Sequence, residues 1–184
     1  MNRSVNLLAI IGLAIGAVFG LSGSFVSDPI IKVVLYEISS VGLIVALTIL
    51  AIRFLKEDHI FLATGFLLFS IGEAVMSGGT AAGELGGQPA FGGGMALYVP
   101  ALLLISIPKK FPAWGRMVGL AACIPFGIVA SKIFLGEVVL SSSALAGVGY
   151  GLLTLTIISW MLTLYKEIAG SNSPSYEQAA SVAG

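Results

Sequence analysis

Glu73 is the only charged side chain between Ile60 and Met76, in the stretch "FSIGEAVMSGG" at residues 69–79. A carboxylate in so apolar a run can bind a proton, hold a cation or pair with an ammonium group, and each use needs partners. Glu37 offers a second carboxylate and Lys132 an ammonium. Tyr98 and Tyr150 add phenol hydroxyls, and Ser77 a hydroxyl one helical turn beyond Glu73.

Composition dictates the elements that must carry these residues. The chain has 184 residues, 57% of them hydrophobic and 10% charged, and its mean hydropathy is +1.03. A soluble domain uses roughly 25% charged residues to solvate its surface, and this chain cannot cover itself in that way. Six apolar segments, residues 5–23, 30–52, 59–79, 91–108, 115–136 and 142–165, reach or approach the roughly 20 residues that cross a bilayer core as a helix. The expected fold class is all-α: a polytopic integral membrane protein with six transmembrane helices. Residues 1–168 form its transmembrane domain and 169–184 a short disordered C-terminal tail. The first helix is expected to be retained, because "GLSGS" is not a small-x-small signal-peptidase site.

The breaks between segments have local causes. In "SDP" at 27–29, Pro29 suits the opening turn of a helix. "RFLKEDH" at 53–59 is too charged for lipid, and Asp58 is expected to cap the third helix. The glycines of "GGTAAGELGGQPAFGGG" at 78–94 predict a flexible loop. "PKKFPAWGR" at 108–116 and "GEVVLSSS" at 136–143 supply the last two turns.

With six spans, Arg3, Arg53, Lys56, Lys109, Lys110, Arg116 and Lys166 fall on one side, and only Lys32 and Lys132 on the other. Cations in short loops resist translocation, so both termini are expected in the cytoplasm, with Trp114 and Tyr165 at the inner interface. The expected location is a plasma membrane of the bacterial inner-membrane kind.

This orientation sets the depth of the polar residues. Glu73 lies about six residues, roughly 10 Å, from the outer end of its helix. Glu37, Tyr98, Tyr150 and Lys132 fall at about four to eight residues from the same side. Ser70, Glu73, Ser77 and Thr80 share one helical stripe, Glu37 is flanked by Ser40 and Thr48, and Ser143, Gly147, Tyr150 and Thr154 align on the sixth helix. A mid-membrane carboxylate facing lipid costs about 2.5–3.5 kcal/mol, so these stripes are expected to face inward. The competing view is structural: lysines snorkelling to the interface, tyrosines in the aromatic belt, glutamates satisfied by serines.

Gly12, Gly16 and Gly20 form a double GxxxG, read as a helix-packing seam that would also serve a homo-oligomer. Pro100 and Pro125 release the carbonyls of Ala96 and Ala121, which opens kinks or hinges. "VGYG" at 148–151 matches four residues of the potassium-channel filter signature. About fourteen residues separate it from Lys166, too few for the span that must follow a filter.

Several chemistries are excluded. A net charge of zero argues against nucleic acid, and the single cysteine, Cys123, allows no internal disulfide. No phosphate-binding loop, zinc pattern or other metal motif is present, so no metal and no cofactor is expected. His59, the only histidine, precludes a bis-histidine haem within one chain and leaves an intramembrane enzyme short of a base. The leading expectation is a small-solute or ion transporter, or a channel-like protein, with the lipid bilayer as its partner. Glu73 and Glu37 would be its cation or proton sites, Lys132 their charge partner, and Tyr98, Tyr150 and Ser77 its polar walls. The alternative is a non-catalytic accessory or lipid-binding membrane subunit.

Overall fold

The computed structural model describes residues 3–170; residues 1, 2 and 171–184 lie outside the described residues, and with them most of the expected tail. Among the described residues, seven helices follow one another: α1 (Arg3–Phe25), α2 (Pro29–Lys56), α3 (Ile60–Thr80), the single turn α4 (Gly83–Gly86), α5 (Gln88–Ser106), α6 (Ala113–Phe134) and α7 (Ala144–Gly170). All but α4 are long and apolar enough to cross a membrane. The protein is all-α with the architecture of a six-span bundle. The helices alternate in direction, so the bundle has a near end, which carries Arg3 and Gly170, and a far end at α4.

Each long helix packs on its neighbours in chain order, and α7 closes on α1 to complete a ring. Large buried rings fill its middle. Phe54 stacks on Phe66 at 5.5 Å between centroids, Phe66 meets Trp160 edge-on at 5.1 Å, and Phe69 meets Tyr98 at 4.4 Å. Outward positions such as Val41, Val45, Ile52 and Ile124 remain exposed, as lipid-facing positions would. Lipid is as apolar as leucine, so close packing and polar contacts must hold such helices together.

Small residues allow that close packing. A Cβ on Gly12 would lie 2.7 Å from the carbonyl oxygen of Gly42, and one on Gly16 2.3 Å from Leu43. Gly20 meets Ser39 in the same way, so all three glycines face α2 of the same chain. Between α3 and α5 the pattern has a period of seven. Gly65 packs on Ala101, Gly72 on Gly94 and Gly79 on Gly87, the two series running in opposite directions.

This seam corrects the expected loop at 78–94. α3 continues to Thr80 and α5 begins at Gln88, so Gly92, Gly93 and Gly94 are helical. Their lack of side chains serves helix contact, with Gly92 against Ile133 and Gly94 against Met76 and Gly72. The remaining turn is tied down. The Gln88 side chain accepts from Val139 N and donates to Val139 O, both at 3.0 Å, and Glu84 accepts from Ser141 N and Oγ. The segment is a stapled corner of the far end.

The caps divide. Asp28 accepts from Ile30 N at 2.9 Å and Ile31 N at 3.0 Å ahead of Pro29, closing the first turn of α2. Asp58 does not cap α3: it sits at φ 57, completing the turn, and His59 takes the cap position without a side-chain bond. Pro100 and Pro125 lie inside helices that run through them.

At the near end a buried charge cluster joins four parts of the ring. Arg53 on α2 donates to Asn6 on α1 at 2.8 Å, to Glu167 on α7 at 2.8 Å and to Glu57 at 2.9 Å. Lys110, between α5 and α6, pairs with the other Glu167 oxygen at 3.0 Å. The Arg53 guanidinium also stands 5.1 Å from the centroid of the Phe54 ring.

Candidate functional site

The polar stripes of α2 and α3 meet face to face. These helices are antiparallel, so residues early in α2 oppose residues late in α3. Glu37 accepts from Ser77, Ser40 donates to Glu73 at 2.9 Å, and Thr48 bonds Ser70 at 3.1 Å. Each helix thus supplies a carboxylate to the other helix's serine. The exchange satisfies both charged groups inside an apolar seam, where an unpaired polar group is expensive.

α5 adds the third partner. The Tyr98 hydroxyl donates to Glu73 Oε1, while Ser40 holds Oε2. Tyr98 arrives there because Gly72 and Gly94 let α5 lie against α3: a Cβ on Gly72 would be 3.1 Å from the Tyr98 ring. Glu73 is buried, at 4% exposure, and the ion pairs of the described residues give it no cationic partner. A carboxylate offers about four lone-pair positions, and two hydroxyls leave capacity for a proton or a ligand.

Beside this group a cavity of about 300 Å³ runs from the far end into the bundle. Glu73, Ser77, Tyr98 and Tyr150 all line it. Tyr98 and Tyr150 both meet Phe126 edge-on, at 5.2 and 5.8 Å, and the cavity lining continues past them to Leu43 on α2 and to Leu153 and Ile157 on α7. Lys32 and Glu84 stand in the wall toward the mouth.

The structure therefore brings together Glu73, Ser77, Tyr98 and Tyr150. Glu37 joins them through Ser77 and does not line the cavity. Lys132 is not brought in. Its ammonium pairs with Glu137, five residues away at the end of α6, and both side chains are largely exposed. Lys132 shares the depth of the glutamates, and depth does not say which way a residue faces around its helix. The "VGYG" tetrad is helical: the Tyr150 carbonyl accepts from Thr154 Oγ1, and residues 148–151 form no filter.

Some participants were not singled out as site residues. Ser40 was visible as a neighbour of Glu37 on its stripe, but its role as a Glu73 donor was not. Lys32, legible in the sequence as a cation able to snorkel to the interface, also lines the cavity, as do Tyr36 and Ser39, which carry no separate sequence signal. Arg53 had entered only as an orientation charge, though the buried cluster depends on it.

Comparison of the chain with protein-family models, with curated proteins and with solved structures gave no match.

Proposed function

We propose that this protein is a multi-pass membrane protein that binds and moves a small solute or ion, with Glu73 as its central binding group. The observation that carries this reading is the cavity, which enters from one end of the ring and has the buried Glu73 carboxylate in its wall. The excess of Lys and Arg at the near end supports placing that end in the cytoplasm and the cavity mouth outside. On the same argument the location is a plasma membrane of bacterial inner-membrane type.

In this reading the cavity is the outward-facing state. The packed rings of Phe54, Phe66 and Trp160 and the Arg53 cluster fill the opposite end, and release to the cytoplasm requires both to part. Glu73 takes the solute or a coupling proton, with Tyr98 and Ser40 orienting its oxygens. Glu37 sits one turn nearer the mouth and adds negative potential along the entry path.

The test is a flux screen with purified protein in proteoliposomes, with and without a pH gradient. Uptake above protein-free vesicles, lost in Glu73→Gln, is the expected result. A wild-type protein that moves none of the solutes would count against transport.

A second reading has its own support. The cavity walls are largely apolar, with Leu43, Met76, Phe91, Leu153 and Ile157 among them. A lipid-binding accessory subunit would use such walls to hold an acyl chain. It predicts a lipid retained through purification and no flux.

A further inference from the structure

We propose that the ligand of this cavity is a monovalent organic cation: an ammonium group on a small apolar body, its positive end against Glu73. The inference rests on the solute-binding reading and narrows it by charge and shape.

Charge distribution comes first. Lys32 and Glu84 both line the cavity toward its mouth and offset one another. Deeper in, Glu73 is the only ionisable acid or base among the lining residues other than the tyrosines, and among the described residues nothing cationic pairs with it. Glu37, behind Ser77, adds a second negative charge on the same side. A neutral ligand would leave this hydrogen-bonded carboxylate without a counter-charge, and an anion would be repelled.

Wall chemistry then separates organic from metal cations. Calcium takes about six to eight oxygen ligands and magnesium a near-ideal octahedron. Here the lining away from the mouth offers one carboxylate and a few hydroxyls, and among the described residues no three His, Cys, Asp or Glu side chains gather. Tyr36, Phe91 and Tyr150 supply aromatic rings instead, and Leu43 and Met76 apolar surface. Alkylammonium groups suit that mixture, because their charge is spread over C–H surface that rests well on π faces. A volume of about 300 Å³ sits at the small end of ligand pockets, which run from roughly 300 to 1,000 Å³. That size fits a compact amine.

The experiment compares probes of one shape and different charge. Choline, its neutral isostere 3,3-dimethylbutan-1-ol and the anion 3,3-dimethylbutanoate are titrated at matched ionic strength, with butylammonium and 1-butanol as a second set. Thermal unfolding of the detergent-purified protein reports binding. Choline or butylammonium should raise the melting temperature while the neutral and anionic counterparts do not. Glu73→Gln should weaken cation binding by about tenfold or more. If that variant does not fold, the comparison of cations with isosteres in the parent protein decides the matter alone. Equal stabilisation by the neutral alcohols overturns the cation assignment and leaves a solute-binding cavity standing. No stabilisation by either cation, or unchanged cation binding in a folded Glu73→Gln, overturns it too. If no probe binds and the flux screen is also silent, the solute-binding reading falls with it.

Discussion

Tyr98 reaches Glu73 across the α3–α5 seam because two glycines, Gly72 and Gly94, let the helices lie close enough for the phenol to donate. Tyr98 is fully buried, so its hydroxyl has no water to fall back on. Replacing it with Phe should destabilise the fold by about 1–3 kcal/mol, the penalty for leaving a buried acceptor short of a donor. Tyr150→Phe is the control: its hydroxyl has no hydrogen-bond partner among the described residues, and the change should stay within about 0.5 kcal/mol. Denaturation of both variants in mixed micelles would measure the difference. Equal effects would mean that the Tyr98 bond contributes nothing.

The two lysine and arginine pairs should respond very differently. Arg53 is almost wholly buried and holds Asn6, Glu57 and Glu167 at once. Arg53→Met should therefore destabilise by about 2–4 kcal/mol, since it strands the buried Asn6 oxygen and weakens the part-buried Glu167. Lys132→Met removes an exposed pair with Glu137 and should change stability by no more than about 1 kcal/mol. It should also leave flux and cation binding as they are. A loss of binding in Lys132→Met would restore that lysine to the site.

Glycine substitutions test the period-seven seam. A Cβ on Gly94 would sit 2.2 Å from the Met76 side chain and 2.8 Å from the Gly72 carbonyl oxygen. Gly94→Ala should cost about 1–3 kcal/mol through overpacking and push Tyr98 away from Glu73, so cation binding falls as well. Gly147 has nothing within 4 Å of such a Cβ. Gly147→Ala should be neutral or stabilising by up to about 1 kcal/mol, because alanine is the better helix former. The same thermal assay separates the two.

Orientation is open to labelling. In a Cys123→Ala background, a cysteine at Ala82, exposed beside α4, should react with an impermeant thiol reagent added outside cells. One at Ala113, exposed at the start of α6, should react only after permeabilisation. The opposite pattern would place the cavity mouth in the cytoplasm and reverse the direction of entry proposed above.

Six long helices were readable from the chain alone because hydropathy and length are local quantities: 23 residues for α1 or 22 for α6 need no knowledge of a neighbour. The stripe of Ser70, Glu73 and Ser77 was readable for the same reason, since helical period assigns a face. Partners were not. Whether Glu73 or Glu37 lines the cavity depends on how α2 and α3 rotate against each other, and the antiparallel exchange with Ser40 and Ser77 settles that. Lys132 matched the glutamates in depth, but a carboxylate five residues along its own chain was nearer than any across the bundle. The glycines of 78–94 looked like a loop because composition cannot distinguish flexibility from close approach. Contact with α3 and α6 shows why the glycines of 88–94 can be helical without side chains, and only the α3–α5 contact carries Tyr98 to Glu73.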